Sequence, residues 1–193
     1  MPIRFILSLC LMTMFVAESV AADLPPAPEG TFSIVVIPDT QGYRGEKTKA
    51  EPNSATPLRN SVFEAHSKWI AANISSQRVV FVSHVGDIVD KNNDAQWALA
   101  QAHMDRVHGK VPYGIVVGNH DMTFKGNSAL FQKYFPASRF ADFDWYGGFF
   151  EGDPERPAHS GNNANSYQLI SAEGVDLIML HLECNAPDNV VVW

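Results

Sequence analysis

Three runs of apolar, largely β-branched residues govern what this chain can fold into: Phe32–Pro38 (FSIVVIP), Arg78–Val85 (RVVFVSHV) and Val111–Val117 (VPYGIVV). None alternates polar with apolar, so each reads as a strand buried on both faces, the habit of parallel sheets. Segments at helical spacing separate them. Thr56 and Pro57 are placed to cap and begin a helix that repeats Leu58, Val62, Trp69, Ile70 and Ile74 through about Ser75. Asp94 can cap a second helix, with Trp97, Gln101, Met104 and Val107 on one face and an end near His108 and Gly109. Asn127–Phe135 makes a third, stopped by Pro136. Strand and helix alternate at lengths that suit βαβ crossovers, so the predicted class is α/β with a mixed, largely parallel sheet. Residues 140–165, rich in aromatics, Gly, Asn and acidic side chains, read as a long surface loop. Asn165–Ser171 and Val175–Leu182 then read as a hairpin turning at Ala172-Glu173-Gly174.

The N-terminus stands outside this pattern. Arg4 precedes the apolar run Phe5–Ala17, which is too short to span a bilayer, and Val20 and Ala22 satisfy the small-residue rule for cleavage. Residues 1–22 therefore read as a signal peptide, 23–31 as a proline-rich linker and 32–193 as the folded domain. Secretion or periplasmic export follows, with no stable membrane insertion once the leader is removed. Cys10 lies in the leader, which leaves Cys184 alone: no internal disulfide, and a thiol expected to be an inert core residue. The formal net charge of −7 argues against a nucleic-acid-binding surface.

Each of the three apolar runs ends in a polar cluster. Asp39-Thr40-Gln41 follows the first, Gly86-Asp87-Ile88-Val89-Asp90 the second and Gly118-Asn119-His120-Asp121 the third. Ligands of open α/β sheets bind outside the carboxyl ends of the strands, where all three clusters fall. Asp39 and Asp87 offer anionic oxygens, Gln41 and Asn119 neutral ones, and His120 an imidazole. Hard oxygens with imidazole suit Mn, Fe or Zn. His84 precedes the second cluster at a position that is more often structural than functional. Asp90 is placed to buttress its own loop, and Tyr43 and Arg44 to face a substrate.

The clusters resemble the first three motifs of the calcineurin-like metallophosphoesterase family, D-x-H, G-D-x-x-D and G-N-H-[DE]. The resemblance runs from Phe32 to Asp121 and more loosely to Val192. It implies a metallophosphoesterase-type αββα sandwich, two divalent metal ions (Mn, Fe or Zn) and a phosphate-ester substrate, a monoester or diester. Hydrolysis would use a hydroxide activated between the metals. It implies further that Asp39 binds one metal, Asp87 bridges both and Asn119 binds the other. His120 would then assist the leaving group, steered by Asp121. Gln41 stands where the family has a metal-binding histidine; its oxygen can coordinate in the same place, or the side chain can hydrogen-bond to a metal ligand from behind it. No G-H-x-H occurs, and downstream only His159, expected in solvent, and His181, expected to pack in a strand, remain. The chain is therefore expected to stop before the family's C-terminal histidine motifs and to be inactive alone. A secreted, non-catalytic metal- or ligand-binding protein on the same fold is the alternative. Asn119-His120-Asp121 argues against it, because a binding module has no evident need for a leaving-group acid.

Overall fold

The computed structural model describes residues 24–45, 55 and 57–193. The apolar leader, its cleavage site and Thr56 lie outside the described residues. Strands β1 (Ser33–Ile37), β2 (Val79–His84) and β3 (Tyr113–Ile115) pair in parallel in the order β1-β2-β3. Helices α1 (Ser61–Asn73) and α2 (Asp94–Met104) make the crossovers, as the spacing predicts. Central β2 is buried along nearly its whole length, whereas edge strand β1 alternates between half-buried and exposed and is buried only at Ile37. Phe63 and Ile70 from α1 and Trp97 and Met104 from α2 form the core with Val82 and Tyr113.

Helix α1 begins at Ser61 and not at Pro57. Arg59 is bonded to Arg44 through both backbone groups at 3.0 Å, which holds the chain extended up to the helix. Asn60 then caps it, its Oδ1 accepting from the Phe63 N–H at 2.9 Å. The Asn60 amide also donates to the Thr40 carbonyl, so the start of α1 is fastened to the first polar cluster.

Beyond α3 (Ala129–Tyr134) and a 3₁₀ turn (Ala137–Arg139), a second sheet forms from β4 (Tyr146–Phe149), β5 (Ser166–Ala172) and β6 (Val175–His181). It is antiparallel, in the order β4-β5-β6, and is followed by a short helix α4 (Asp188–Val192). The β5–β6 hairpin turns at Glu173 and Gly174, both at positive φ (49° and 78°). The surface-loop reading of 140–165 is corrected by β4 and by aromatic packing, with Phe140 5.1 Å from Tyr113 and Phe143 5.0 Å from Trp145, ring centre to ring centre. The two glycines of β4 make it look like a turn in sequence. They are needed because a side chain at Gly147 would strike the Tyr167 ring.

The inner face of the second sheet rests on the first. His181 is buried, its ring 5.8 Å from Phe81 and its Nε2 3.0 Å from Ser83 Oγ. Gly114 makes that fit possible, since a Cβ there would occupy the imidazole's place. The whole is a mixed α/β fold. No helix among the described residues is long and apolar enough to cross a membrane.

Candidate functional site

The loops after β1, β2 and β3 meet at the carboxyl end of the parallel sheet. Asp39, Asp87 and Asn119 line one open cavity of about 250 Å³, walled by Val116, Leu182 and Cys184. Thus three of the four expected oxygen donors come together. Gln41 does not line the cavity, and its Oε1 is buried with no hydrogen-bond partner among the described residues.

A buried relay joins the first loop to the second. The Gly86 N–H donates to His84 Nδ1 at 3.3 Å, which leaves the ring proton on Nε2. Nε2 donates in turn to Thr40 Oγ1 at 2.9 Å, and the Thr40 hydroxyl donates to the Ile88 carbonyl at 3.1 Å. The Thr40 N–H adds a bond to the Asp87 carbonyl at 3.1 Å. Burial pushes the His84 pKa down to about 3, which keeps the ring neutral and preserves this pattern. His84 is therefore structural and fully buried.

Asp121 joins the second loop to the third. It is fully buried; Oδ1 accepts from the N–H groups of Ile88 (2.9 Å) and Val89 (3.1 Å), and Oδ2 from that of Gly118 (2.8 Å). Burial raises its pKa to about 7 against the opposing pull of those three donors. The expectation that Asp121 steers the His120 ring is thereby corrected, because both its oxygens are committed to backbone. The ring's Nδ1 faces the Asp90 carbonyl instead, at 3.3 Å.

The glycines are set by contact. A Cβ on Gly118 would strike the Asp87 nitrogen and carboxylate, and one on Gly86 (φ +95°) would lie 2.9 Å from the Gly118 nitrogen. Asp87 itself sits at φ 49°, a strained conformation for a residue with a side chain. Its Oδ1 accepts from the His120 N–H at 3.1 Å, so the second and third loops are fixed to each other at the mouth as well.

Several neighbours differ from their sequence reading. Tyr43 is buried in the core and does not line the cavity, and Arg44 is exposed but engaged through its backbone with Arg59. His159 is half-buried and not free in solvent. Cys184 is half-buried on the cavity wall, positioned by its N–H bond to the Val117 carbonyl at 2.8 Å. Nothing local in the sequence marks Leu182 or Cys184 as wall residues, since that contact joins distant segments.

Among the described residues no three His, Cys, Asp or Glu side chains form a group that would hold a metal by themselves. The donor set fits a divalent cation in another way. Two carboxylates and an amide oxygen face one cavity, and no lysine or arginine lines it to neutralise them. Hard oxygen donors with uncompensated negative charge are what such cations take.

Comparison with known proteins adds the following. The family model described as calcineurin-like phosphoesterase matches residues 32–188. An uncharacterized protein of Bacillus subtilis (strain 168), YvnB, is 33% identical over 93% of this chain. The chain spans only 13% of that relative's length. Among solved structures, a purple acid phosphatase from yellow lupin (Lupinus luteus) seeds matches 75% of this chain and 23% of its own, at 19% identity and a TM-score of 0.35.

Proposed function

Because the chain belongs to the calcineurin-like phosphoesterase family, we propose that it hydrolyses a phosphate ester with divalent metal ions held at the crevice. Support comes above all from one observation: Asp39, Asp87 and Asn119, each from the loop after a different parallel strand, line the same cavity. These three would hold the metals, with Asp87 shared and Gln41 the further candidate. When bound, a pair of such cations neutralises charge on a phosphoryl group and lowers the pKa of a water.

The chain's own residues supply the rest. His120 is exposed beside the cavity, and the Asp90 carbonyl accepts from its Nδ1–H. That bond fixes the ring, and its Nε2 would give a proton to the departing oxygen. Asp121 acts at one remove, holding the Gly118, Ile88 and Val89 backbone that carries His120 and Asp87. On the composition of residues 1–22, we place the protein as secreted or periplasmic. Sequencing the N-terminus of exported protein checks this, with Asp23 expected as the first residue.

The test of the function is turnover of a chromogenic phosphoester by the full-length protein after chelation and after metal is restored. Activity should return with metal. Asp87→Asn should lose both activity and bound metal, whereas His120→Ala should lose roughly 10²–10⁴-fold in rate and keep its metal. Equal metal loss in the two variants would make His120 a ligand and overturn its assignment as the acid.

A further inference from the structure

A second cavity, of about 310 Å³, shares a wall with the crevice, because Cys184 lines both. Its buried member is Glu183, only 6% exposed, and the Glu183 Oε1 has no hydrogen-bond partner among the described residues. A carboxylate oxygen shut away from water and left unpaired is costly, and a ligand that donates to it recovers that cost.

The surroundings are built around this gap. The Glu183 N–H is bound to Asn165 Oδ1 at 2.9 Å, and the Asn165 amide donates to the Ser160 carbonyl at 2.8 Å. Two opposite walls are thereby locked together. Ser160 and Asn185, both on those walls, sit at positive φ (60° and 56°). His159 adds a buried Nδ1 that also lacks a partner among the described residues. At the mouth Phe124 stands fully exposed beside Lys125.

We propose that this cavity binds the alcohol half of the phosphate ester, and that the alcohol is a polyol; this rests on the phosphoesterase reading above. A simple alkyl alcohol would leave Glu183 unpaired. Hydroxyl groups would donate to it, while the C–H face of the same ligand packs on the Phe124 ring. Lys125 and Arg156, which also line the cavity, disfavour an ammonium-bearing alcohol in the same place.

The experiment measures kcat/KM of the metal-loaded full-length protein for sn-glycerol 3-phosphate, glucose 6-phosphate and n-propyl phosphate. At least one polyol ester should exceed propyl phosphate by about tenfold, and which one does so tells a glycerol-type from a sugar ligand. Glu183→Leu should shrink that ratio at least about fivefold, and Phe124→Ala about two- to threefold. Should Glu183→Leu fail to fold, Phe124→Ala decides alone, since an exposed side chain cannot unfold the protein. A wild-type ratio near one, or a ratio the variants leave unchanged, overturns the proposal. If wild type turns over none of the three, the phosphoesterase reading fails separately. Calorimetric binding of the same compounds then decides: a preference for the polyol phosphates that is lost in Glu183→Leu supports the cavity's role, and equal or absent binding overturns it.

Discussion

The crevice at the end of the parallel sheet and the antiparallel sheet beyond it bury polar groups in opposite ways. In the crevice every buried hydrogen-bonding atom of His84 and Asp121 is used: both ring nitrogens of the one, both oxygens of the other. On the inner face of the second sheet, Ser166, Gln168 and His181 are also buried, yet Gln168 Oε1 and His181 Nδ1 have no partner among the described residues. That sheet's outer face carries exposed apolar side chains, with Leu169, Ile178 and Leu180 exposed by 45%, 66% and 65%. A fully satisfied polar network admits one arrangement, whereas a partly satisfied one tolerates neighbours. The crevice should therefore be brittle and the second sheet forgiving.

Glycine replacement exposes the contrast most strongly. In Gly118→Ala the new methyl meets the Asp87 backbone and carboxylate directly, so the loops must separate. A loss of about 3 kcal/mol is expected, by the size of strain and overpacking effects, seen as a Tm lower by roughly 6–12 °C together with loss of metal binding. Gly174→Ala at the β5–β6 turn also sits at positive φ (78°), but nothing lies within 4 Å of the new atom. It should cost only about 1 kcal/mol, the conformational penalty alone. Equal losses in the two variants would erase the distinction.

Acid titration separates the regions through their buried histidines. Burial pushes the His181 pKa down to about 4 and that of His84 to about 3. Each folded value lies below the unfolded one, near 6.5, so the unfolded chain takes up the proton first. Their stabilisation is complete above about pH 6.5 and is lost as pH falls, down to about 4 for His181 and about 3 for His84. For His181 the window corresponds to about 3 kcal/mol at 1.4 kcal/mol per unit. His181→Gln should flatten the slope of denaturation free energy between pH 6.5 and 4 and keep metal affinity. His84→Gln should also flatten it, but should weaken metal binding, because it cuts the link between the first two loops. An unchanged acid slope in His181→Gln would show that its burial does not govern this region.

The same division decides what could be read from the sequence. The parallel strands announce themselves because β2 is buried on both faces and so is apolar throughout. The clusters Asp39, Asp87 and Asn119 announce themselves because each directly follows such a strand. What holds them together was not legible. Thr40 and His84 are 44 residues apart, and Asp121 spends its carboxylate on backbone groups that have no sequence signature. The β5–β6 hairpin was legible as two strand-like runs, Asn165–Ser171 and Val175–Leu182, around Ala172-Glu173-Gly174. Strand β4 was not, since Gly147 and Gly148 reflect the Tyr167 ring lying over them and not any strand preference of their own. Helix α1 was misplaced at its start because a long-range backbone pairing between Arg44 and Arg59 outweighed the local cap signal of Thr56-Pro57.

The smallest effect is expected on the outer face of the second sheet. Ile178 points outward from β6 with 66% of its surface exposed, so little apolar area returns to water when it is replaced. Ile178→Lys should change stability by no more than about 0.5 kcal/mol, the ordinary range for surface sites. It should lower the binding of an apolar fluorescent dye, because it removes an exposed apolar side chain from the face that also carries Leu169 and Leu180. Ile170 on neighbouring β5 is the matched control, since it faces inward and is 6% exposed. A lysine there would have to bury a charge among side chains that already leave polar atoms unpaired, and should cost several times more. If Ile178→Lys proved as damaging as Ile170→Lys, the outer face could not be the open surface it is here, and something would have to cover it in the folded protein. If both were harmless, the inner face would have to admit water, and the contrast with the fully bonded His84 and Asp121 beneath the crevice would become sharper.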